Sequence, residues 1–320
     1  MFENFEVPIG DWVEVGVQWI QVNLNWLLEF IKTVIGALVE GVGDGLIATP
    51  IPVVILIAAA LCWLFRSWQL AIGTIVMFFL IVGMGQWENA MLTLALVIIA
   101  TLVAVLLSVP LGIWSARNAT VRAILKPVLD LMQTMPAFVY LIPAIVFFGI
   151  GFVPGVIATV IFSMPPGVRL TELGIRGVDA ETVEAGQAFG AGRGQILRGI
   201  QLPLAVPTIM AGVNQVIMLS LSMAVIAGMA GADGLGKEVT QAINTVDIPQ
   251  GVNAGLGIVF LAVFLDRITA ALGTPSEYPA SIVGRINRRR AAQRNARIDE
   301  EAAAKQAELV EAAGPRRAGP

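Results

Sequence analysis

From residue 46 onward the chain is a succession of apolar runs, at 46–65, 70–86, 90–114, 137–150, 152–165, 203–229 and 252–272. Short polar, charged or Gly/Pro-bearing stretches separate them. Crossing a hydrocarbon core of ~30 Å takes ~20 apolar residues as a helix, and several runs meet that length. Lipid cannot solvate backbone N–H and C=O groups, so runs of this length predict helices. The pieces at 137–150 and 152–165 are short and parted only by Gly151 and its neighbours, with Phe152-Val153-Pro154-Gly155 following. They read as two spans joined by a tight hairpin, with a kinked or re-entrant arrangement as the alternative. The pattern predicts seven spans.

Residues 11–40 are patterned differently. Asp11, Glu14, Gln18, Gln21, Asn25 and Glu29 recur every three or four residues and mark one wet helical stripe. Trp12, Trp19 and Trp26 recur every seven on another side. This is an amphipathic helix, and two readings stay open: tryptophans at headgroup level, or a helix packed on the rest of the protein. Gly41-Val42-Gly43-Asp44-Gly45 is expected to break it.

Composition acts mainly by exclusion. Apolar residues make up 57% of the 320 positions, charged residues 13%, and the mean hydropathy is +0.80. A soluble domain carries about 25% charge, so most of this chain must face lipid or other helices. There is no histidine, which removes His-based triads, His-ligated metals and His proton shuttles. Cys62 stands alone, so neither a disulfide nor a thiolate metal cluster is available. No metal site is expected. The acidic opening Met-Phe-Glu-Asn-Phe-Glu has no basic n-region and does not read as a cleaved signal peptide.

The placement of positive charge sets an orientation. With 66–69, 115–136, 166–202 and the tail after 272 in the cytoplasm, and Arg267 near the end of the last span on the same side, all but Lys32 and Lys237 of the 20 basic residues lie inside. The positive-inside rule then puts the N-terminus out and the C-terminus in. The chain divides into an extracytoplasmic amphipathic segment (1–45), a transmembrane hairpin (46–86), a core (87–275) and a cytoplasmic tail (276–320). That tail carries Arg285, Arg288, Arg289, Arg290, Arg294 and Arg297, a cluster that can anchor at anionic membrane lipid or serve as a simple stop-transfer signal.

The most specific stretch lies in the loop before the sixth span. It reads Glu184-Ala185-Gly186, then three residues to Gly190, nine to Ile200, one to Leu202-Pro203. Thr182, Val183, Ala185, Ala188 and Phe189 put apolar surface on a loop that would otherwise be wet, a mark of a partner site. Gly190, Gly192 and Gly194 permit positive φ and a sharp reversal. Pro203 and Pro207 are expected in the first turn of the next span.

At its full spacing this stretch resembles the EAA signature of ABC-importer permeases, with Gly186 where the family pattern usually has Ala. Further stretches look like the glycine betaine/proline betaine permease branch of that family: Gln133–Tyr140, Gly149–Gly151, Val153–Gly155, Pro165-Pro166, Met210–Gln215 and Leu265–Arg267. The resemblance is strong over about 86–272. It implies an all-α, polytopic type I importer fold with extra N-terminal helices. It also implies a loop at 169–202 that docks a cytoplasmic ATPase through Glu184, Ala185, Gly186, Phe189, Gly190, Ile200, Leu202 and Pro203. ATP and Mg²⁺ are expected on that partner, with no cofactor in this chain, no catalytic residue and no enzyme activity. A separate extracytoplasmic substrate-binding protein, a permease homodimer and membrane lipid are the other expected partners, and nucleic acid is not one. The location expected is the inner membrane of a prokaryote.

Two further features bear on chemistry. Gly231-Ala232-Asp233-Gly234-Leu235-Gly236-Lys237 fits G-x-x-x-x-G-K, but Glu238 replaces the Ser or Thr that would hold Mg²⁺ and no strand precedes it. A Gly-rich external turn is the better reading. The sixth span carries Asn214, Gln215, Ser220 and Ser222 without a formal charge. These four either bond neighbouring helices or line a solute path, together with Phe138, Tyr140 and Met218. Asp266 and Arg267 are expected at the cytoplasmic interface. The function expected is permeation of quaternary ammonium osmolytes. The alternatives are an ABC permease for another small solute such as an amino acid, or an ion-coupled secondary carrier.

Overall fold

The computed structural model describes residues 8–273 together with Ser281. The basic tail at 276–320 therefore lies outside the described residues, Ser281 apart. Among the described residues the chain is helical throughout: α1 (Ile9–Asn23), α2 (Asn25–Ala48), α3 (Ile51–Phe65), α4 (Trp68–Gly83), α5 (Trp87–Arg117), α6 (Ala119–Thr134), α7 (Ala137–Phe148), α8 (Phe152–Arg176), α9 (Ala180–Ala188), α10 (Arg193–Ile196), α11 (Leu202–Met229), α12 (Leu235–Thr245) and α13 (Ile248–Gly273).

Each apolar run is mostly helical, but the seven-span count does not hold by length and composition. Four helical stretches are long and apolar enough to cross a membrane alone: Trp87–Arg117, Phe152–Arg176, Arg193–Met229 and Ile248–Leu272. The pairs α2–α3 and α6–α7 pass only together, bent by 108° and 99°. At 16 residues α4 reaches about 24 Å, short of a full core. The sequence placed breaks by composition, whereas the chain breaks where the backbone is forced. The glycines at 41–45 stay helical inside α2, and the bend falls at Thr49-Pro50, because Pro restricts the residue before it and lacks an N–H.

Two other boundaries move for related reasons. The segment at 119–134, read as loop, is a helix capped by Asn118, whose Oδ1 accepts from the Thr120 and Val121 N–H groups. The run assigned to 152–165 continues as α8 through Pro165 and Pro166 to Arg176. The expected tight turn between α7 and α8 is present: Gly149 (φ 82°) and Gly151 (φ 134°) adopt the positive φ that a β-carbon would resist.

The core is built around α8, flanked by α5 and α11 at close range. The approach depends on small residues. A β-carbon on Gly112 would lie 2.5 Å from Thr171 Cβ, on Gly155 2.7 Å from Ala227 Cβ, and on Gly167 2.5 Å from Ser108 Oγ. Where lipid and helix surfaces are equally apolar, such close backbone packing is what favours association. α13 packs on α11 and carries the N-terminal hairpin on its other side, with Phe78 of α4 against Phe264 at a ring separation of 5.1 Å. The Arg66 guanidinium, just past α3, donates to the Arg267 carbonyl at 3.2 Å, tying hairpin to core. α2 packs against α5. Trp12, Trp19 and Trp26 are exposed among the described residues, while another side of α2, with Ile35 and Val39 buried, packs on the core, so the segment carries both an uncovered tryptophan face and a packed one. One member of the wet stripe turns inward: Gln21 Nε2 donates to the Val146 carbonyl of α7 at 2.9 Å.

Candidate functional site

The loop between α8 and α11 is a compact, ordered unit. Asp179 caps α9, its Oδ1 accepting from the Glu181 N–H at 2.7 Å and the Thr182 N–H at 3.2 Å. At the other end Gly190 has φ 81°. Its N–H donates to the Gln187 carbonyl at 2.8 Å and that of Ala191 to the Gly186 carbonyl at 3.0 Å. This pair is a Schellman closure with glycine in the left-handed position. Of the three glycines expected to supply positive φ, only Gly190 does so. Gly192 (φ −69°) precedes α10, its N–H bonded to Gln195 Oε1, and Gly194 lies within α10.

The carried-over residues divide between two faces. Gly186 faces inward, where an added β-carbon would sit 2.7 Å from Ile200 Cδ1. Ile196 and Leu197 are buried beneath the loop, and Leu202 packs against the cluster of Ile175, Leu197 and Ala205. Glu184, Ala185, Phe189 and Gly190 face outward, as does Pro203 at the head of α11. Phe189 is 93% exposed, a large aromatic that nothing among the described residues covers. Pro203 stands at the second position of α11, in its first turn as expected, whereas Pro207 lies inside the helix. α10 runs into α11 through a π-type turn at Leu197–Gln201, so the helical path is continuous from Arg193 to Met229 and Pro203 and Pro207 lie within it. The wider turn accommodates a proline that lacks the N–H for regular bonding.

The polar residues proposed for a path are not all placed alike. Gln215, Met218 and Ser222 are exposed, at a spacing that puts them on one face of α11 together with Ala211. Phe138 is half exposed on α7. By contrast, the exposed positions of α13 from 252 to 263 are Val252, Leu256, Val259 and Val263, all aliphatic, with exposed Arg267 one turn further on. Tyr140 and Ser220 are corrections: both are buried, so neither lines an open surface of this chain. The Tyr140 hydroxyl is spent on the Met132 carbonyl and that of Ser220 on the Val216 carbonyl. Ser222 also bonds back, to the Met218 carbonyl.

Asn214 belongs to a cluster that the sequence did not reveal. Its Nδ2 donates to Asp266 Oδ1 at 2.9 Å, and its Oδ1 accepts from Thr269 Oγ1 at 2.7 Å. Asp266 is thus turned toward α11 rather than standing only at an interface. The partners lie 52 and 55 positions away in sequence, so no local spacing signals them. At the end of the bundle nearer the loop, Arg169 pairs with Asp130, and Ser115 Oγ donates to Glu172 Oε2 at 2.7 Å.

The G-x-x-x-x-G-K segment is a packing turn. Gly228 and Gly236 meet backbone to backbone: a β-carbon on Gly236 would lie 2.2 Å from the Ala224 carbonyl oxygen. The Leu235 N–H donates to Thr93 Oγ1 and the Gly151 N–H to the Ala230 carbonyl, joining α12, α5 and the α7–α8 turn. Lys237 is engaged by Asp233 at 2.6 Å, and that hydrogen bond and charge hold its ammonium pKa above the ordinary lysine range.

Comparison with known proteins fits this geometry. The profile of the family "Binding-protein-dependent transport system inner membrane component" matches residues 108–273, from mid-α5 to the end of α13. The glycine betaine transport system permease protein OpuAB of Bacillus subtilis is 48% identical over 82% of this chain and 93% of its own. The glycine betaine/proline betaine permease ProW of Escherichia coli is 43% identical over 86% of this chain and 78% of its own. The glycine betaine/carnitine permease GbuB of Listeria monocytogenes is 46% identical over 83% and 95%. Among solved structures, the inward-facing MetNI methionine ABC transporter aligns with TM-score 0.53 at 19% identity, over 57% of this chain and 91% of that one, a likeness of fold. With a helical core arranged around α8, an ordered loop presenting the EAA-type residues and relatives matched over most of both chains, this protein belongs to the binding-protein-dependent transport system inner membrane components.

Proposed function

We propose that this chain is the permease subunit of an ATP-driven importer for compact quaternary ammonium osmolytes of the glycine betaine and proline betaine kind. The observation that carries this is the 46–48% identity to glycine betaine permeases over more than four fifths of this chain and nearly the whole of theirs. More distant relatives are named for trimethylamine N-oxide, choline and carnitine transport, cargoes that share a methylated nitrogen centre. Such a group donates no hydrogen bond and favours aromatic faces. The exposed α11 face, with Gln215, Met218 and Ser222 and no formal charge, suits its passage without trapping. Membership in a binding-protein-dependent family sets aside the ion-coupled carrier.

In this reading the outward face of the loop, Glu184, Ala185, Phe189 and Gly190, docks a cytoplasmic ATPase that holds ATP and Mg²⁺. A separate extracytoplasmic protein delivers the solute, and two copies of the permease flank the path, since a single core does not enclose one. The loop end of the bundle faces the cytoplasm, as the distribution of basic residues supports. The test is co-purification of the ATPase with the wild-type chain and with Phe189→Asp, alongside labelling of single cysteines at Thr240 and Gln187. The reading requires retention by the wild type, loss by the variant, and reaction with an impermeant reagent from outside at 240 but not at 187. Equal retention, or reversed labelling, would contradict it.

A further inference from the structure

A cleft of about 480 Å³ opens between α5, α6 and α8 at the loop end of the bundle. It shares Arg176 with a neighbouring cleft lined by Val183 and Gln187 of α9, but its lining includes none of Glu184, Ala185, Phe189 and Gly190 and no residue of α11. Four cations line it, Arg122 and Lys126 from α6 and Arg169 and Arg176 from α8, against two carboxylates, Asp130 and Glu172. Both carboxylates are already occupied. Asp130 is bound by Arg169, and Glu172 accepts from Ser115 Oγ. Arg122, Lys126 and Arg176 form no ion pair among the described residues. The Ser115 hydroxyl leaves the charge of Glu172 in place, so four cations against two carboxylates give the cleft a net charge of +2 around a volume that a phosphate-sized group fits.

The shape of α6 says what brings the anion. Arg122, Lys126 and Asp130 recur every four residues and face the cleft. Ile124, Val128 and Leu131 recur at helical spacing beside them and are all exposed, at 61%, 47% and 61%. Leu173 of α8, on the rim of the cleft, is 60% exposed. A cationic row flanked by an uncovered aliphatic row is the pattern of a helix lying at the boundary between headgroups and acyl chains. A soluble anion would use the charges and leave the aliphatic row without purpose. An amphiphile with a negative head and a hydrocarbon tail uses both.

We propose that this cleft is a binding site for an anionic phospholipid of the adjoining leaflet. Its phosphodiester sits among Arg122, Lys126 and Arg176, and its acyl chain lies along Ile124, Val128 and Leu131. Under the orientation proposed above, this is the cytoplasmic leaflet. Arg176 ends α8, three residues before the cap of the docking loop, so the headgroup bears on the segment that leads into it.

The test uses the assembled transporter in phosphatidylcholine bilayers containing a trace of photoactivatable phosphatidylglycerol, with labelled peptides mapped by mass spectrometry. Labelling of α6 and of the C-terminal turn of α8 is expected, with photoactivatable phosphatidylcholine at the same dose leaving them unlabelled. Arg122→Gln/Lys126→Gln lowers labelling by about a factor of five for each charge lost. Arg122→Lys/Lys126→Arg, which keeps both charges, retains it. Excess inorganic phosphate leaves the labelling unchanged. Equal labelling by the two lipids, no loss in the neutral variant, or equal loss in the charge-conserving one overturns the proposal. So does displacement by free phosphate, which makes the cleft a soluble-anion site, or protection in the complex, which makes it a protein contact. None of these readings depends on which solute is transported.

Discussion

The Tyr140 hydroxyl on α7 donates to the Met132 carbonyl on α6 across 2.5 Å, bridging the Met135-Pro136 corner where the chain turns by 99°. The carbonyl lies in the last turn of α6, where helical partners run out, so the tyrosine supplies a donor that the corner lacks. The ring itself is buried and sits 6.3 Å from that of Phe162. Tyr140→Phe keeps the packing and removes only the hydroxyl. It is expected to cost about 0.5–1.5 kcal/mol, the net worth of one hydrogen bond, read as a lower unfolding midpoint in detergent. An unchanged midpoint would show that the bond does not hold the corner.

Two glycines of the core and the loop should respond differently to the same added methyl. At Gly167 a β-carbon would meet Ser108 Oγ at 2.5 Å, Ser108 Cβ at 2.9 Å and Val216 Cγ2 at 3.1 Å, on two neighbouring helices at once. Gly167→Ala is expected to cost about 1–3 kcal/mol as overpacking, seen in thermal unfolding and in reduced yield of folded protein. At Gly186 the tight contact is with the end of a flexible Ile200 side chain, 2.7 Å away. Gly186→Ala should fold and couple as the wild type does. Equal loss in both would mean that the helix spacing is not what the glycines set.

Local features were legible in the sequence and contacts between distant helices were not. Long apolar runs such as 90–114 and 203–229 name their helices, because a bilayer leaves an apolar run little else to be. The loop motif was legible for the same kind of reason, because closure by Gly190 is local; the Asp179 cap is as local but went unread. Long-range features were not legible. Asn214 with Asp266, and Ser115 with Glu172, depend on how helices are rotated against one another, which hydropathy does not encode. The α2–α3 bend was missed because a proline corner inside an apolar stretch scarcely alters its composition, and the α6–α7 bend because Arg122, Lys126 and Asp130 make 119–134 read as a polar loop. Tyr140 and Ser220 were misplaced because an aromatic or a hydroxyl in a span reads the same facing a path as facing another helix.

The loop offers a prediction about coupling. Gly190 holds φ 81° and closes α9, while Phe189 beside it stands uncovered. Gly190→Val forces a β-branched residue into a left-handed conformation, at roughly 1–3 kcal/mol of local strain, and re-aims Phe189. The chain should still insert, since the loop contributes little to the bundle core. ATPase activity stimulated by the solute and its receptor should fall sharply in the reconstituted complex. Wild-type stimulation and uptake in Gly190→Val would reduce the loop to a linker.

The Asn214–Asp266 contact can be measured by a double-mutant cycle. Single Asn214→Ala and Asp266→Asn variants and their combination should show a coupling of ~0.6 kcal/mol, the usual size between membrane helices. Asn214→Asp should be worse than Asn214→Ala, because it sets a second carboxylate against Asp266 where the first accepted a hydrogen bond. Additive effects, or an Asp variant milder than Ala, would mean that the α11–α13 contact does not depend on this pair.

The most direct measurement is ATP-driven accumulation of labelled glycine betaine by the complete transporter in proteoliposomes, with proline betaine and several amino acids as competitors. Accumulation that requires ATP and the solute receptor, is inhibited by proline betaine and is indifferent to the amino acids is the predicted result. If betaine neither accumulates nor competes while an amino acid does, the cargo assignment fails, although the family would stand.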